Sequence, residues 1–92
     1  MKKAVKITIN GTVQGIFFRN FVKENAEKLS LGGFVRNLED GRIEIIVEGD
    51  NENIKSFIEI CKKGLKFASI REIKIEEKSY SGELNEFKII RF

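Results

Sequence analysis

The spacing of apolar residues changes along this chain in an order that few folds accommodate. Val5, Ile7 and Ile9 alternate with Lys6 and Thr8, the two-residue period of a strand with one buried face. The period then lengthens. Phe18, Phe21, Val22, Asn25, Ala26 and Leu29 fall at i, i+3, i+4, i+7, i+8 and i+11, with Lys23, Glu24, Glu27 and Lys28 on the other side. That spacing predicts an amphipathic helix beginning near Phe18 or Arg19. Gly32-Gly33 is placed to end it as a glycine cap. Two further strand-like runs, Phe34 to Leu38 and Ile43 to Glu48, flank the Asp-Gly of "EDGR", a strong hairpin signal. Ile54, Phe57, Ile58, Cys61 and Leu65 share one face of a second helix, with Asp50 or Asn51 available to cap its start. Ser69 to Ser79 reads as a strand carrying Ile73 and Ile75. A turn around Ser81-Gly82 separates it from a short last strand, Glu86 to Phe92.

Strand, helix, strand about a central hairpin, then strand, helix, strand again, predicts a split βαβ sandwich of the ferredoxin-like α+β class. Four main strands form an antiparallel sheet with a short C-terminal strand added, and both helices lie on one face. Ninety-two residues leave room for a single core, so one domain spanning 1–92 is expected. The fold alone decides nothing about chemistry.

Between strand 1 and the first helix the chain goes quiet. The stretch "NGTVQGIFFRNF", Asn10 to Phe21, contains one charged residue, Arg19, in a protein that is 34% charged. Strand 1 is expected to end near Thr12, leaving Val13 to Phe17 as the connection, with a turn at Gly15. A helix start leaves its first backbone N–H groups without intrahelical partners. Gly15, Ile16, Phe17 and Phe18 offer no side-chain acceptor for them. Water can satisfy those donors, and so can a bound anion. A cation in the first helical turn opposes the helix dipole by about 0.3–1 kcal/mol, and a bound anion would reverse that sign. It would also give the guanidinium a bidentate partner. The plainer reading is a surface arginine and a glycine that permits a tight turn.

Other functions are excluded by what the composition lacks. With no histidine there is no His general base, no Ser-His or Cys-His nucleophile and no His-ligated metal site. The lone Cys61 falls on the apolar stripe of the second helix and reads as an inert buried thiol. One cysteine and an N-terminus without a signal-peptide core point to the cytoplasm. No apolar run exceeds the length of Ile45-Ile46-Val47, far below the roughly 18 residues of a membrane span. A net charge of +3 with Lys and Glu interleaved tolerates anionic ligands without implying nucleic acid. Lys62, Lys63 and Lys66 read as a solvated face. Phe18 opens the helix's apolar stripe and reads as core. Asn37, three residues before Asp40-Gly41, reads on its own as a turn-capping residue. Alternation puts Asn37 with Val35, opposite Phe34, Arg36 and Leu38, which separates Arg36 from it.

"GTVQGIFFR" followed by "GGFVRNLEDGRIEIIVEG" resembles the acylphosphatase family over essentially the whole chain. Gly11, Val13, Gln14, Gly15, Phe18 and Arg19 match one family motif. Gly33, Phe34, Val35, Asn37, Gly41 and Gly49 match the other, with Ile16 and Ile43 where valine is usual. The resemblance implies hydrolysis of an acyl phosphate to a carboxylate and inorganic phosphate, with no metal or cofactor. It implies that the loop Gln14, Gly15, Ile16, Phe17, Phe18 and Arg19 cradles the phosphate through backbone N–H groups. Arg19 would bind the phosphoryl oxygens and Asn37 would hold the attacking water. No histidine or nearby free carboxylate stands ready as a base, so the substrate's own phosphate is expected to take the water's proton. The expected partners are small-molecule acyl phosphate and inorganic phosphate, with no nucleic acid and no membrane, acting on a monomer.

Two rival readings belong to other classes. "GGFVRNL" loosely resembles the aromatic strand motif of RNA-recognition domains, but the alternate-position aromatics are missing and strand 1 offers no stacking ring. A non-catalytic phosphate-binding or regulatory module could keep the loop; retention of both Arg19 and Asn37 argues against it.

Overall fold

In β1 (Lys2–Thr12), Val5, Ile7 and Ile9 are buried on one face, and Lys6 and Thr8 are half-buried on the other. The computed structural model describes residues 1–12, 15–63 and 69–90, with side chains described outside 11–12, 15–17 and 69–71. After β1 come α1 (Gly15–Lys28), β2 (Gly32–Asn37), β3 (Ile43–Asp50), α2 (Asn51–Lys63), β4 (Ser69–Lys78) and β5 (Phe87–Ile90). The sheet order is β4-β1-β3-β2-β5. Pairs β1–β3, β1–β4 and β2–β3 are antiparallel, and β5 joins β2 in parallel as the fifth strand. This is the ferredoxin-like sandwich expected from the order of periods. Leu65, Arg91 and Phe92, which the sequence assigned to α2 and β5, lie outside the described residues.

The register decides what sits where. Ile9 pairs with Ile43, Ile43 with Asn37 and Ile9 with Ile73, so these four residues form one row across the sheet on the helix-bearing face. Phe18, Val22 and Ala26 of α1 join Ile54, Phe57 and Cys61 of α2 in the core against that face. α1 packs on β2 and β5, and α2 on β3 and β1. Because β1, β2 and β5 run the same way, their C-terminal ends share one end of the sandwich. α1 begins at that end.

Both ends of α1 differ from the sequence reading. α1 starts at Gly15, a full turn before Phe18. The apolar stripe begins only at Phe18, so periodicity cannot register the turn that precedes it. The helix also ends differently. Ser30, at φ 55°, takes the left-handed cap position. The N–H of Ser30 donates to Glu27 O at 3.0 Å and that of Leu31 to Ala26 O at 2.9 Å, the paired bonds of a Schellman motif. Gly32 and Gly33 belong to β2 and are small for another reason. A Cβ on Gly32 would collide with the carbonyl of Leu84, and one on Gly33, at φ 145°, with that of Ile46. The hairpin turn is as expected, closed by Leu38 N–H to Arg42 O at 2.7 Å and Gly41 N–H to Leu38 O at 3.0 Å.

A serine held at positive φ carries a steric penalty that glycine avoids. Ser30→Gly is therefore expected to raise stability by about 0.5–1 kcal/mol, net of the entropy glycine adds to the unfolded chain. Urea unfolding checks it: the midpoint should rise with an unchanged slope.

Candidate active site

α1 and α2 begin in opposite electrostatic conditions. Asp50 immediately precedes α2 and Glu52 lies in its first turn, negative charge placed where the dipole favours it. The N–H of Asn51 is satisfied by Met1 O at 2.8 Å. α1 has no acidic residue in its first turn. The N–H groups of Gly15, Ile16 and Phe17 precede the first i→i−4 bond of the helix, as geometry requires. Gln14, the first residue of the expected cradle, lies outside the described residues, as does Val13.

Phe18 anchors this start. Its ring is buried and lies 6.4 Å from that of Phe21, tilted by 31°, which fixes the first turn on the core. Arg19 is the fifth helical residue, so the dipole opposes it less than a first-turn position would. A different feature singles it out. Arg19 Nε is buried and, among the described residues, has no hydrogen-bond partner. Leaving a charged buried donor unmet costs about 1–3 kcal/mol or more, so such a group calls for an acceptor.

Asn37 ends β2 and is exposed. Its register with Ile43, and that of Ile43 with Ile9, puts it on the helix-bearing face at the same end as the α1 start. Arg36 goes to the opposite face, where its Nε binds Glu44 Oε1 at 2.7 Å and Lys6 Nζ lies 3.4 Å from Glu44 Oε2. The separation of Arg36 from Asn37 expected from alternation thus appears in the register. Asp40 is occupied within its own turn. Its Oδ1 accepts Arg42 N–H at 3.1 Å and its Oδ2 the Arg42 Nε–H at 2.7 Å, which together hold its carboxyl below the usual value.

Cys61 is 1% exposed and burial pushes its thiol up to about 12. At neutral pH it carries no thiolate with which to attack anything. Among the described residues no group of three or more His, Cys, Asp or Glu side chains is placed to hold a metal ion.

The class is that of a ferredoxin-like sandwich with a buried arginine nitrogen, unpartnered among the described residues, in the first helix near its start. The acylphosphatase family profile matches residues 5–89. The acylphosphatase of Syntrophobacter fumaroxidans is 38% identical over 88 residues, covering 96% of this chain and 91% of that one. The crystal structure of an acylphosphatase from Bacillus subtilis superposes with a TM-score of 0.89 at 36% identity, covering 99% of this chain and 100% of that one. The acylphosphatase structure from Coxiella burnetii gives 0.87 at 30% identity, over 97% of this chain and 93% of that one. The chain belongs to the acylphosphatase family, and acylphosphatase activity is what the family and these structural neighbours support.

What the sequence did not reveal was that Arg19 Nε is buried with no partner among the described residues, since burial of one atom has no signature in residue spacing. The inert thiol gives a direct check. Native protein at pH 8 should resist Ellman's reagent and react fully once unfolded, and Cys61→Ser should keep its turnover with a lowered melting temperature.

Proposed function

We propose that the whole chain, 1–92, acts as one domain that hydrolyses acyl phosphates to a carboxylate and inorganic phosphate at the end of the sandwich where α1 begins. The observation that carries this reading is the buried Arg19 Nε, without a partner among the described residues, close after the start of α1. A phosphoryl group offers acceptors to it and to the helix-start N–H groups at once. The N–H groups of Gly15, Ile16, Phe17 and Phe18, with Gln14 leading into them, cradle the phosphoryl oxygens, and Arg19 binds them through its fork.

Asn37 holds a water molecule for attack on phosphorus. The water oxygen forms the new P–O bond while the bond from phosphorus to the acyl oxygen breaks, its electron pair leaving with the carboxylate. A carboxylate is a good leaving group, so no strong general acid is needed. The water's proton passes to a phosphate oxygen of the substrate. Asp40 is tied to Arg42, which leaves it poorly placed to act as the base. Because phosphoryl transfer runs through a loose transition state, positioning and fixed donors supply most of the catalysis. This scheme uses no metal or cofactor.

The open face of the sheet favours a small molecule over nucleic acid. It carries the buried carboxylates of Glu44 and Glu48, and the Arg36 guanidinium lies over the Phe34 ring, 5.9 Å from its centroid. No described helix is long and apolar enough to cross a membrane. The proposed setting is a monomer in the cytoplasm acting on small acyl phosphates.

Substitution separates the two roles. Arg19→Ala should lower turnover of benzoyl phosphate by roughly 10³-fold and abolish inhibition by inorganic phosphate, with cooperative melting retained. Arg19→Lys should not rescue it, since a point charge lacks the fork. Asn37→Ala should lose about 10²-fold or more in kcat while inorganic phosphate inhibits as before. Near-normal activity in Arg19→Lys would overturn the reading.

A further inference from the structure

The proposed reaction leaves unused a carboxylate on the sheet face away from the helices. Glu48 of β3 is 5% exposed and lies between Ala4 of β1 and Gly32 of β2. Its Oε2 accepts the N–H and the hydroxyl of Ser81, each at 2.8 Å, and its Oε1 accepts the N–H of Leu84 at 3.5 Å. The N–H of Glu83 in turn donates to Ser81 Oγ at 3.1 Å. A single buried acid therefore gathers one short stretch of backbone around itself.

That stretch has a demanding route. It joins β4, at one edge of the sheet, to β5, at the other, so residues 79–86 pass three intervening strands. Ser79 to Glu83, Asn85 and Glu86 are exposed and bury almost nothing of their own. The crossing rides directly on β2 at Gly32, where a Cβ would collide with Leu84 O. At the next residue Gly33 N–H donates to Glu86 O at 2.9 Å, and the parallel ladder begins at Gly33–Phe87. β5 is four residues long, and its inward side chains are Phe87 and the half-buried Ile89. So short an edge strand has few bonds with which to hold itself, and exposed segments with few apolar contacts open most readily. Glu48 offers the crossing a charged acceptor, which takes three of its donors.

We propose that residues 79–90 form a strap that opens and closes as one unit, with Glu48 as its latch. Opening removes β5 from the edge of β2 and takes away one of the walls against which α1 packs. The inference stands independently of the reaction proposed above.

The latch has a defined sensitivity to acid. The charged and titratable groups on the faces around Glu48 are Glu44 and Asp50 on its own strand, Lys2 and Lys6 on β1, Arg36 on β2, Glu76 and Lys78 on β4 and Lys88 on β5. Tyr80, Glu83 and Glu86 belong to the crossing. Lys6 and Arg36 are engaged by Glu44, so neither is the partner of Glu48. Burial by itself would raise the Glu48 carboxyl. The donors of Ser81, Leu84 and Gly82 outweigh it and hold the group below its ordinary value of 4.5. A group lowered in the folded state stabilises above its unfolded value, and that stabilisation is lost as pH falls through the lowered one. The strap should therefore hold at neutral pH and loosen in acid, before the β1–β3 core does.

Amide hydrogen exchange tests this. At pH 7, Glu48→Gln should speed exchange at Gly33 and at β5 amides about tenfold or more, leaving the β1–β3 ladder at Ile7 and Ile45 unchanged. Ser81→Ala, which removes only the hydroxyl, should speed the same amides by a smaller factor, and it serves as the test should Glu48→Gln fail to fold. Wild-type protein at acid pH, corrected for intrinsic exchange, should show the same selective loss. Equal acceleration of β5 and of the β1–β3 ladder would overturn the proposal, because Glu48 would then support the whole fold rather than a strap. Unchanged β5 exchange would overturn it as well.

Discussion

Pairing of β1 along both of its edges is the constraint from which the site follows. With β3 paired from Lys2 to Ile9 on one side and β4 from Ala4 to Thr12 on the other, its direction is fixed by two ladders and its end at Thr12 by the second. Its buried Ile7 and Ile9 lock the face. Only two residues separate that end from Gly15, so the start of α1 is pinned to the C-terminal end of the strand. The antiparallel chain of pairs from β1 through β3 to β2 then carries Asn37 to the same end. Few degrees of freedom remain for the helix start and the asparagine.

The two helix starts show how the same backbone problem receives two answers. At α2 the chain supplies its own negative charge through Asp50 and Glu52, and Asp50 also lies 3.6 Å from the terminal amino group of Met1. At α1 apolar residues occupy the first turn and Arg19 follows them. A stability-driven sequence would repeat the α2 solution, since an acceptor at the cap is worth about 1 kcal/mol. The lack of an acidic residue in the first turn of α1, together with a buried Arg19 Nε that finds no partner among the described residues, is the kind of local sacrifice that accompanies binding.

Residue spacing revealed those features that depend on which face a side chain occupies. Alternation placed Asn37 with Val35 and sent Arg36 to the other face, where it meets Glu44. The Asp-Gly turn and the inert position of Cys61 were legible for the same reason. Features set by contacts distant in sequence were not. Gly32 and Gly33 looked like a helix cap because glycine is common there, whereas the approaching carbonyls of Leu84 and Ile46 require them. Ser30, an unpromising residue for positive φ, performs the capping. The parallel attachment of β5 and the hold of Glu48 on the crossing connect residues more than thirty positions apart. No local period encodes them.

The central claim is that the α1 start and Arg19 receive a phosphate. Titration of ¹⁵N-labelled protein with inorganic phosphate, followed by amide and arginine side-chain NMR, tests it most directly. Saturable shifts should be largest at the backbone amides of Gly15, Ile16, Phe17 and Phe18 and at the Arg19 Nε–H, with smaller ones at the Asn37 side chain. Shifts centred on the exposed lysines Lys62 and Lys63, with Gly15 to Arg19 unmoved, would contradict it.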